Sequence, residues 1–173
     1  MFRMSIKNRL AVGILGVLAL SGCQPEKETV KSNAMQIVEV PLVINVLDEE
    51  AYNDCHIAGS IHSDFDKVES YVQNMSKDSE IILYCSNYAC STSDFVGKKL
   101  QSLGYTNVWA YEGGIAEWKQ HGLPTVGPGK KEYLKRVMKK PAKDSDSSVP
   151  VISMDKLAEK LHVTRNVQFG KAA

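Results

Sequence analysis

Residues 81–124 read IILYCSNYACSTSDFVGKKLQSLGYTNVWAYEGGIAEWKQHGLP, and the punctuation of this stretch decides the fold. With Glu80 in front, the run ending at Cys85 is apolar and rich in strand-forming residues, which predicts a central strand. From Ser91 to Gly104, Phe95, Val96, Leu100 and Leu103 recur at helical spacing, and Gly104 supplies the stop. Asn107–Tyr111 predicts a strand, Glu112–Gly114 a turn and Ile115–Gly122 a helix, with Pro124 closing the unit. Strands and helices alternating in this way argue for an α/β architecture with an open parallel sheet flanked by helices.

The upstream chain continues the alternation. IVEV (37–40) and LVINV (42–46) predict strands, the second apolar enough to be buried on both faces. Asp48–Asp54 predicts a short helical turn and Cys55–His62 a loop. Ser63–Met75 predicts a helix, with Ser63 as cap and Phe65, Val68, Tyr71, Val72 and Met75 on one face. Downstream of Pro124 the composition shifts. GKKEYLKRVMKKPAK (129–143) carries seven basic residues and one acid and predicts a surface helix, either a solvated face or a contact for anionic headgroups or a partner. Asp144–Pro150 reads as a linker, and Ser153–His162 as a short amphipathic helix bearing Leu157 and Leu161.

Cys85 and Cys90 stand at the two ends of one short loop, where the strand gives way to the helix. Open α/β sheets place ligands at that end of their strands. Unpaired N–H groups and partial positive charge at a helix start favour a thiolate, the nucleophilic form of cysteine. Cys85 is then the candidate nucleophile and Cys90 a candidate second thiol, with backbone N–H groups of Ser86, Asn87, Tyr88, Ala89 and Ser91 as binding groups for a charged sulfur. This reading requires Cys85 to be ionised and reachable. On the pattern alone, an inert buried cysteine fits Cys85 equally well, and a static disulfide or a small filler fits Cys90. No paired C-x-x-C spacing is present, so no metal site is expected. No cofactor is expected either.

Of the 173 residues, 43% are hydrophobic and 24% charged, enough apolar material for a packed core. Residues 10–20, LAVGILGVLAL, follow a short basic segment. The run falls short of the roughly 20 residues that a spanning helix needs, but suits a signal peptide. LSGC (20–23) looks like a bacterial lipobox, which makes Cys23 the expected lipidation site and residues 1–22 a removable leader. The expected location is the cell envelope, lipid-anchored and facing the periplasm. Gln24 at the next position favours the outer membrane. Losing Arg3, Lys7 and Arg9 with the leader turns the net charge of +1 slightly acidic, and no nucleic-acid partner is implied. The expected organisation is a leader (1–22), a tether (23–35), an α/β domain (36–125) and a basic helical C-terminal extension (126–173). After lipidation of Cys23, three cysteines remain, so in an oxidising envelope at least one thiol is left for chemistry.

From about Val40 to Pro124 the chain resembles a single rhodanese domain. VINVLDEEAYNDCHIAGSIH (43–62) is similar to the family's opening motif, an Asp-Val-Arg strand followed by Gly-His-Ile-Pro-Gly-Ala. The second half resembles it more closely, with Tyr-Cys before the loop, Gly-Tyr-x-Asn-Val in the next strand and Gly-Gly-x-x-x-Trp-x-x-x-Gly-x-Pro at the end. The resemblance implies that Cys85 takes a sulfane sulfur from a small donor, holds it as a persulfide and passes it to an acceptor such as a protein thiol. The family's loop commonly reads Cys-x-x-Gly-x-Arg; here Tyr88 stands at the Gly and Cys90 at the Arg. Asn45 and Leu47 replace the charged pair of the opening motif, and Cys55 its first Gly. Without the arginine, forked hydrogen bonding of thiosulfate or phosphate is lost, which disfavours both efficient thiosulfate turnover and phosphatase activity. Cys90 offers instead a thiol able to resolve a persulfide on Cys85. Two alternatives stay open: a thiol/disulfide relay on the same pair, and a non-catalytic binding module.

Overall fold

β1 (Leu42–Asn45) and β4 (Ile81–Tyr84) pair in parallel at the centre of the sheet, with Ile44 opposite Leu83. The computed structural model describes residues 40–140 and 149–165. The leader, Cys23, the tether and most of the strand expected at 37–40 lie outside the described residues, as does most of the linker. Both central strands are short apolar runs, and all four residues of β4 are buried. β3 (Ile61–His62) flanks β1 and β5 (Val108–Tyr111) flanks β4, all parallel, in the order β3-β1-β4-β5.

Alternation along the strands divides the core in two. Val43, Ile82, Tyr84 and Tyr111 face one side, packed with Ile115 and Trp118 of α4 (Gly114–Gln120). Ile44, Ile81, Leu83 and Val108 face the other, with Val68 and Val72 of α2 (Val68–Val72) and Val96 and Leu100 of α3 (Thr92–Ser102). α1 (Glu49–Asp54) is capped by Asp48, whose carboxylate accepts the Ala51 N–H at 2.7 Å. The segment expected as loop, 55–62, contains β2 (His56–Ile57) as well as β3. β2 pairs antiparallel with β6 (Thr125–Val126), so the domain does not end at Pro124.

Two helices differ from expectation. α2 is short: the Lys67 N–H donates to the Asp64 carbonyl in a turn that precedes it, and Phe65 and Tyr71 stay about half exposed. Ser63 does not cap it; its hydroxyl turns to the Asp64 carbonyl. In α3 the buried stripe is Ser93, Val96, Gly97 and Leu100, leaving Phe95 and Leu103 on the exposed side.

The basic extension is not the expected long helix. Residues 132–135 form one 3₁₀ turn, and the chain beyond is open. Gly127 and Gly129 adopt positive φ on either side of Pro128, and the Asp54 carboxylate takes the N–H groups of Lys130 and Lys131. The carbonyls of Leu134 and Arg136 accept from the Gln120 side chain rather than from a following helical turn. Farther on, the main chain of Pro150–Ile152 bonds Ala110 and covers the outer edge of β5. Val149 packs on Gly97, where a Cβ would stand 2.9 Å from its methyl groups. α5 (Met154–Lys160), capped by Ser153, buries Leu157 completely.

Candidate active site

β4 delivers Cys85 to the carboxyl edge of the sheet beside β1, where strand order reverses: β1 leads outward to β3, and β4 to β5. Ligands of open α/β sheets bind at such points. The loop that follows is shaped from inside by Asn87, which is almost fully buried. Its side-chain oxygen accepts the Ala89 N–H and its carbonyl the Cys90 N–H, both at 3.0 Å. The first amides of α4 hold the loop from the other side. Ile115 N–H donates to the Cys85 carbonyl and Ala116 N–H to the Ser86 carbonyl, each at 3.0 Å. Gly114 permits this approach: its φ is +60°, and a Cβ would stand 2.5 Å from the Cys85 carbonyl oxygen. Tyr88 is tied down by its hydroxyl, which donates to Glu117 Oε1 at 2.8 Å, while Tyr111 donates to Oε2 at the same distance.

The two sulfurs have opposite surroundings. Cys85 is 0% exposed and packs with the α3-side core. Its thiol donates to the Cys90 carbonyl at 3.1 Å and lies 3.8 Å from Ser93 Oγ. Hydrogen bonding to Cys90, then burial and the negative charge of Cys90, push the Cys85 thiol well above the usual cysteine range. Cys90 is half-buried and lines a cleft of about 140 Å³ with Tyr88, Ser91, Ser93, Asp94 and Glu112. Its sulfur lies 3.3 Å from Thr92 Oγ1, whose hydroxyl donates to it once it is ionised. The hydrogen bond shared with Cys85 pulls Cys90 down to about 5 against the cost of burial, helped by the Thr92 hydroxyl and the N–H groups of Thr92 and Ser86. Both shifts point the same way: charge on Cys90 costs less than charge on Cys85.

The burial of Cys85 departs from the expectation of a reachable sulfur. Packing against the α3-side core makes charge on that sulfur costly, whereas Cys90 sits at the start of α3, where main-chain donors converge. Among the expected binding amides, Ser86 directs its N–H to the Cys90 sulfur, but that of Ala89 goes to Asn87. Asn87 and Tyr88 frame the loop through their side chains, and Ser91 precedes α3 without a side-chain capping bond. The sequence offers Thr92 and Ser93 only as possible helix caps and does not single out Glu117. The buried stripe Ser93–Val96–Gly97–Leu100 carried a signal for Ser93, since a polar residue on an apolar face needs a partner.

The other cysteine and the opening motif stand apart. Cys55, fully buried, lies on the opposite side of the sheet from Cys85, and burial pushes its thiol up. Asn45, also fully buried, accepts the Leu47 N–H at 2.9 Å on its side-chain oxygen. His56 stacks on Tyr52 and bonds its carbonyl, a bracing role. Among the described residues, no three His, Cys, Asp or Glu side chains are grouped to hold a metal ion.

The comparisons with known proteins agree with the strand–loop–helix unit. The family model described as Rhodanese-like domain matches residues 27–121, more than half of the chain. The thiosulfate sulfurtransferase GlpE of Coxiella burnetii is 29% identical over 80 residues, covering 46% of this chain and 73% of that protein. The dual specificity phosphatase Cdc25 of Arabidopsis thaliana is 30% identical over 93 residues, covering 47% of this chain and 64% of its own. Among solved structures, the BH2092 protein of Bacillus halodurans aligns with a TM-score of 0.48 at 33% identity, covering 53% of this chain and 66% of that one. With a cysteine carried by the central strand into a loop closed by the Gly-Gly start of α4, the chain belongs to the rhodanese-like domain family.

Proposed function

We propose that the protein is a two-thiol sulfurtransferase in which Cys90 receives the sulfane sulfur and Cys85 resolves it. One observation carries the reading: of two sulfurs in one loop, Cys90 is half-buried, lines a cleft and is met by hydrogen-bond donors, whereas Cys85 is fully buried. The Cys90 thiolate attacks the outer sulfur of a hydropersulfide donor, R–S–SH. A sulfur–sulfur bond forms on Cys90, the bond to R–S breaks, and R–S⁻ leaves with the electron pair. An acceptor thiolate then attacks the outer sulfur of the Cys90 persulfide and regenerates the Cys90 thiolate. When no acceptor arrives, Cys85 gives up its proton and attacks the Cys90 sulfur. The Cys85–Cys90 disulfide forms, and the sulfane sulfur leaves as hydrogen sulfide, reduced by two electrons. An external dithiol reductant then restores both thiols.

This assignment exchanges the roles that the family resemblance implies, in which Cys85 carries the persulfide. The test is polysulfide treatment of single-cysteine variants followed by peptide mass spectrometry. The mass of one sulfur atom is expected on Cys90 in Cys85→Ser, and more slowly on Cys85 in Cys90→Ser, where the sulfur stays buried. Equal loading of Cys85 overturns the assignment. No loading of either, with a reversible disulfide between them, favours the second reading, a thiol/disulfide relay. The same asymmetry of the pair supports that reading. Retained cellular function in a Cys85→Ala, Cys90→Ala strain would leave the third, a binding module.

We propose further that the domain works at the envelope surface, held by lipid on Cys23, with the periplasm as its compartment. The run LSGC at 20–23 supports this. Intact mass of the protein purified from membranes is expected to show an acylated N-terminal Cys23, and an unmodified leader overturns the anchor.

A further inference from the structure

We infer that the basic strip from Arg136 to Lys140 is a docking surface for an acidic polypeptide segment whose cysteine exchanges sulfur with the loop. The inference rests on the loop as the place of sulfur transfer, whichever of its two sulfurs reacts, and names the class of partner.

The main chain of the strip is fixed and its side chains are left free. Gln120 of α4 donates to the carbonyls of Leu134 and Arg136, and the Asp54 carboxylate holds the N–H groups of Lys130 and Lys131 on the other side of the 3₁₀ turn. Lys131 and Lys135 are spent on Glu50 and Glu132. Arg136, Lys139 and Lys140 are exposed, and among the described residues no carboxylate pairs with them. Between these cations Val137 is 84% exposed and Met138 38%.

The strip borders the reacting loop. Arg136, Val137 and Met138 line a hollow of about 70 Å³ with Tyr88 and Glu117, and Lys140 lines one of about 160 Å³ with Tyr88 and Asp155. Tyr88 is also a wall of the cleft that holds Cys90. The carboxylates around Tyr88 already have partners. Glu117 takes the hydroxyls of Tyr88 and Tyr111, Asp155 pairs with Arg165 at 3.1 Å, Asp94 with Lys98 at 2.7 Å, and Glu112 is engaged as well. The unmatched charge beside the loop is therefore positive. Its complement is an acidic surface with apolar side chains to cover Val137 and Met138. Openings of this size admit a side chain and not a folded surface, so the partner brings its cysteine on an extended segment. A lipid surface laid on the strip would lie across the loop and bar a thiol from it, which favours a polypeptide. The strip also falls beyond residues 27–121, the part matched by the family model, as suits a feature that selects this chain's own partner.

The experiment uses the reduced full-length chain with Cys23→Ser, and for background the same chain with Cys85→Ser and Cys90→Ser. Three synthetic peptides are compared, each with one cysteine held as a mixed disulfide with 2-mercaptoethanol and flanked by Asp, Ser or Lys residues. A loop thiolate attacks the peptide's cysteine sulfur, a protein–peptide disulfide forms, and the 2-mercaptoethanol thiolate leaves with the bonding pair. Loss of the peptide disulfide is followed by quench and mass spectrometry and divided by the rate of free cysteine with the same peptide. The acidic peptide is expected to exceed the neutral one by about tenfold at low salt, with the gap closing as salt is added. The triple variant Arg136→Gln, Lys139→Gln, Lys140→Gln is expected to bring the acidic peptide down to the neutral one. An acidic rate equal to or below the neutral one overturns the inference and leaves the loop's sulfur chemistry standing, as does an acidic advantage that survives in the triple variant. Sedimentation of the parent chain with phosphatidylglycerol vesicles, lost in the triple variant and without any preference for the acidic peptide, assigns the strip to a membrane surface and overturns the polypeptide partner. No reaction above background with any of the three peptides overturns the proposed function, and the inference with it.

Discussion

The two ends of the active loop are five residues apart and differ in almost every physical respect. The Cys85 end is the last step of a central strand, sealed by α3 and pinned through its carbonyl to the first amide of α4. The Cys90 end is the threshold of a helix, half-open to a cleft and met by N–H and hydroxyl donors. In the proposed function the same residue type serves as a proton store at one end and an anion at the other. A cysteine's position in a strand–loop–helix unit says where sulfur chemistry happens, whereas the atoms packed behind each sulfur say which one performs it. In a pair that shares one proton, the better-solvated and better-donated sulfur takes the charge.

The hardest way to break this contrast is to push the Cys85 end off its support. Gly114→Ala puts a methyl group against the Cys85 carbonyl and the Ser86 carbonyl carbon, at a φ that L-residues adopt at a cost of roughly 1–2 kcal/mol. With overpacking of about 1–3 kcal/mol in addition, a loss of about 3 kcal/mol is expected in urea unfolding. The loop should lift enough to let iodoacetamide reach Cys85 in the folded protein. A stability within 0.5 kcal/mol of the parent, an order-of-magnitude margin for surface changes, would mean that α4 does not hold the loop.

A sharper test isolates the shared proton. Because Cys90 is depressed to about 5, its thiolate is nearly complete at pH 6, and alkylation should be flat from pH 6 to 8 and fall as the pH drops through about 5. An ordinary thiol would instead gain about tenfold per unit over that range. The neighbouring Cys85 is the largest cause of the depression, so Cys85→Ala should move the inflection upward, to where Thr92 and the N–H groups alone leave it. An unchanged inflection would show that the helix start, not the partner thiol, stabilises the anion. The raised pKa of Cys85 has the opposite sign: its proton is retained throughout this range and is lost only well above the usual cysteine value.

How much of this was legible depended on distance along the chain. β1, β4, β5, α3 and α4 follow from local patterns, because an apolar run or a helical stripe bounded by Gly or Pro is a short-range signal. The loop and its two cysteines were legible for the same reason. Which sulfur is charged was not, since Gly114, Glu117 and Ser93 act on the loop from other elements or from a helix face that Phe95 disguised. The basic run misled because its charge pattern is helix-compatible, while Asp54, 76 residues away from Lys130, claims the amides that would have started a helix. The seat of Val149 on Gly97 is likewise a contact between segments that sequence order separates.

The smallest effect is expected from Tyr88, and it tests whether the loop tip helps to keep the two ends distinct. The Tyr88 hydroxyl donates to Glu117 Oε1, and the bond's electrostatics push the phenol's own proton affinity up along with its burial. In Tyr88→Phe, Glu117 keeps Tyr111 on its other oxygen and, being only half-buried, takes water on the freed one. The loss is therefore that of a single accessible charge-assisted hydrogen bond, about 1 kcal/mol, or about 2–4 °C in Tm for a chain of this size. Cys90 alkylation should change little, because none of the donors to its sulfur comes from Tyr88. Slow labelling of Cys85 should rise several-fold, because the loop that follows it loses its side-chain tie to α4. If Cys90 slows instead, Tyr88 acts on the cleft it lines rather than on access to Cys85, and the boundary between the two ends of the loop must be redrawn on the Cys90 side of Ala89.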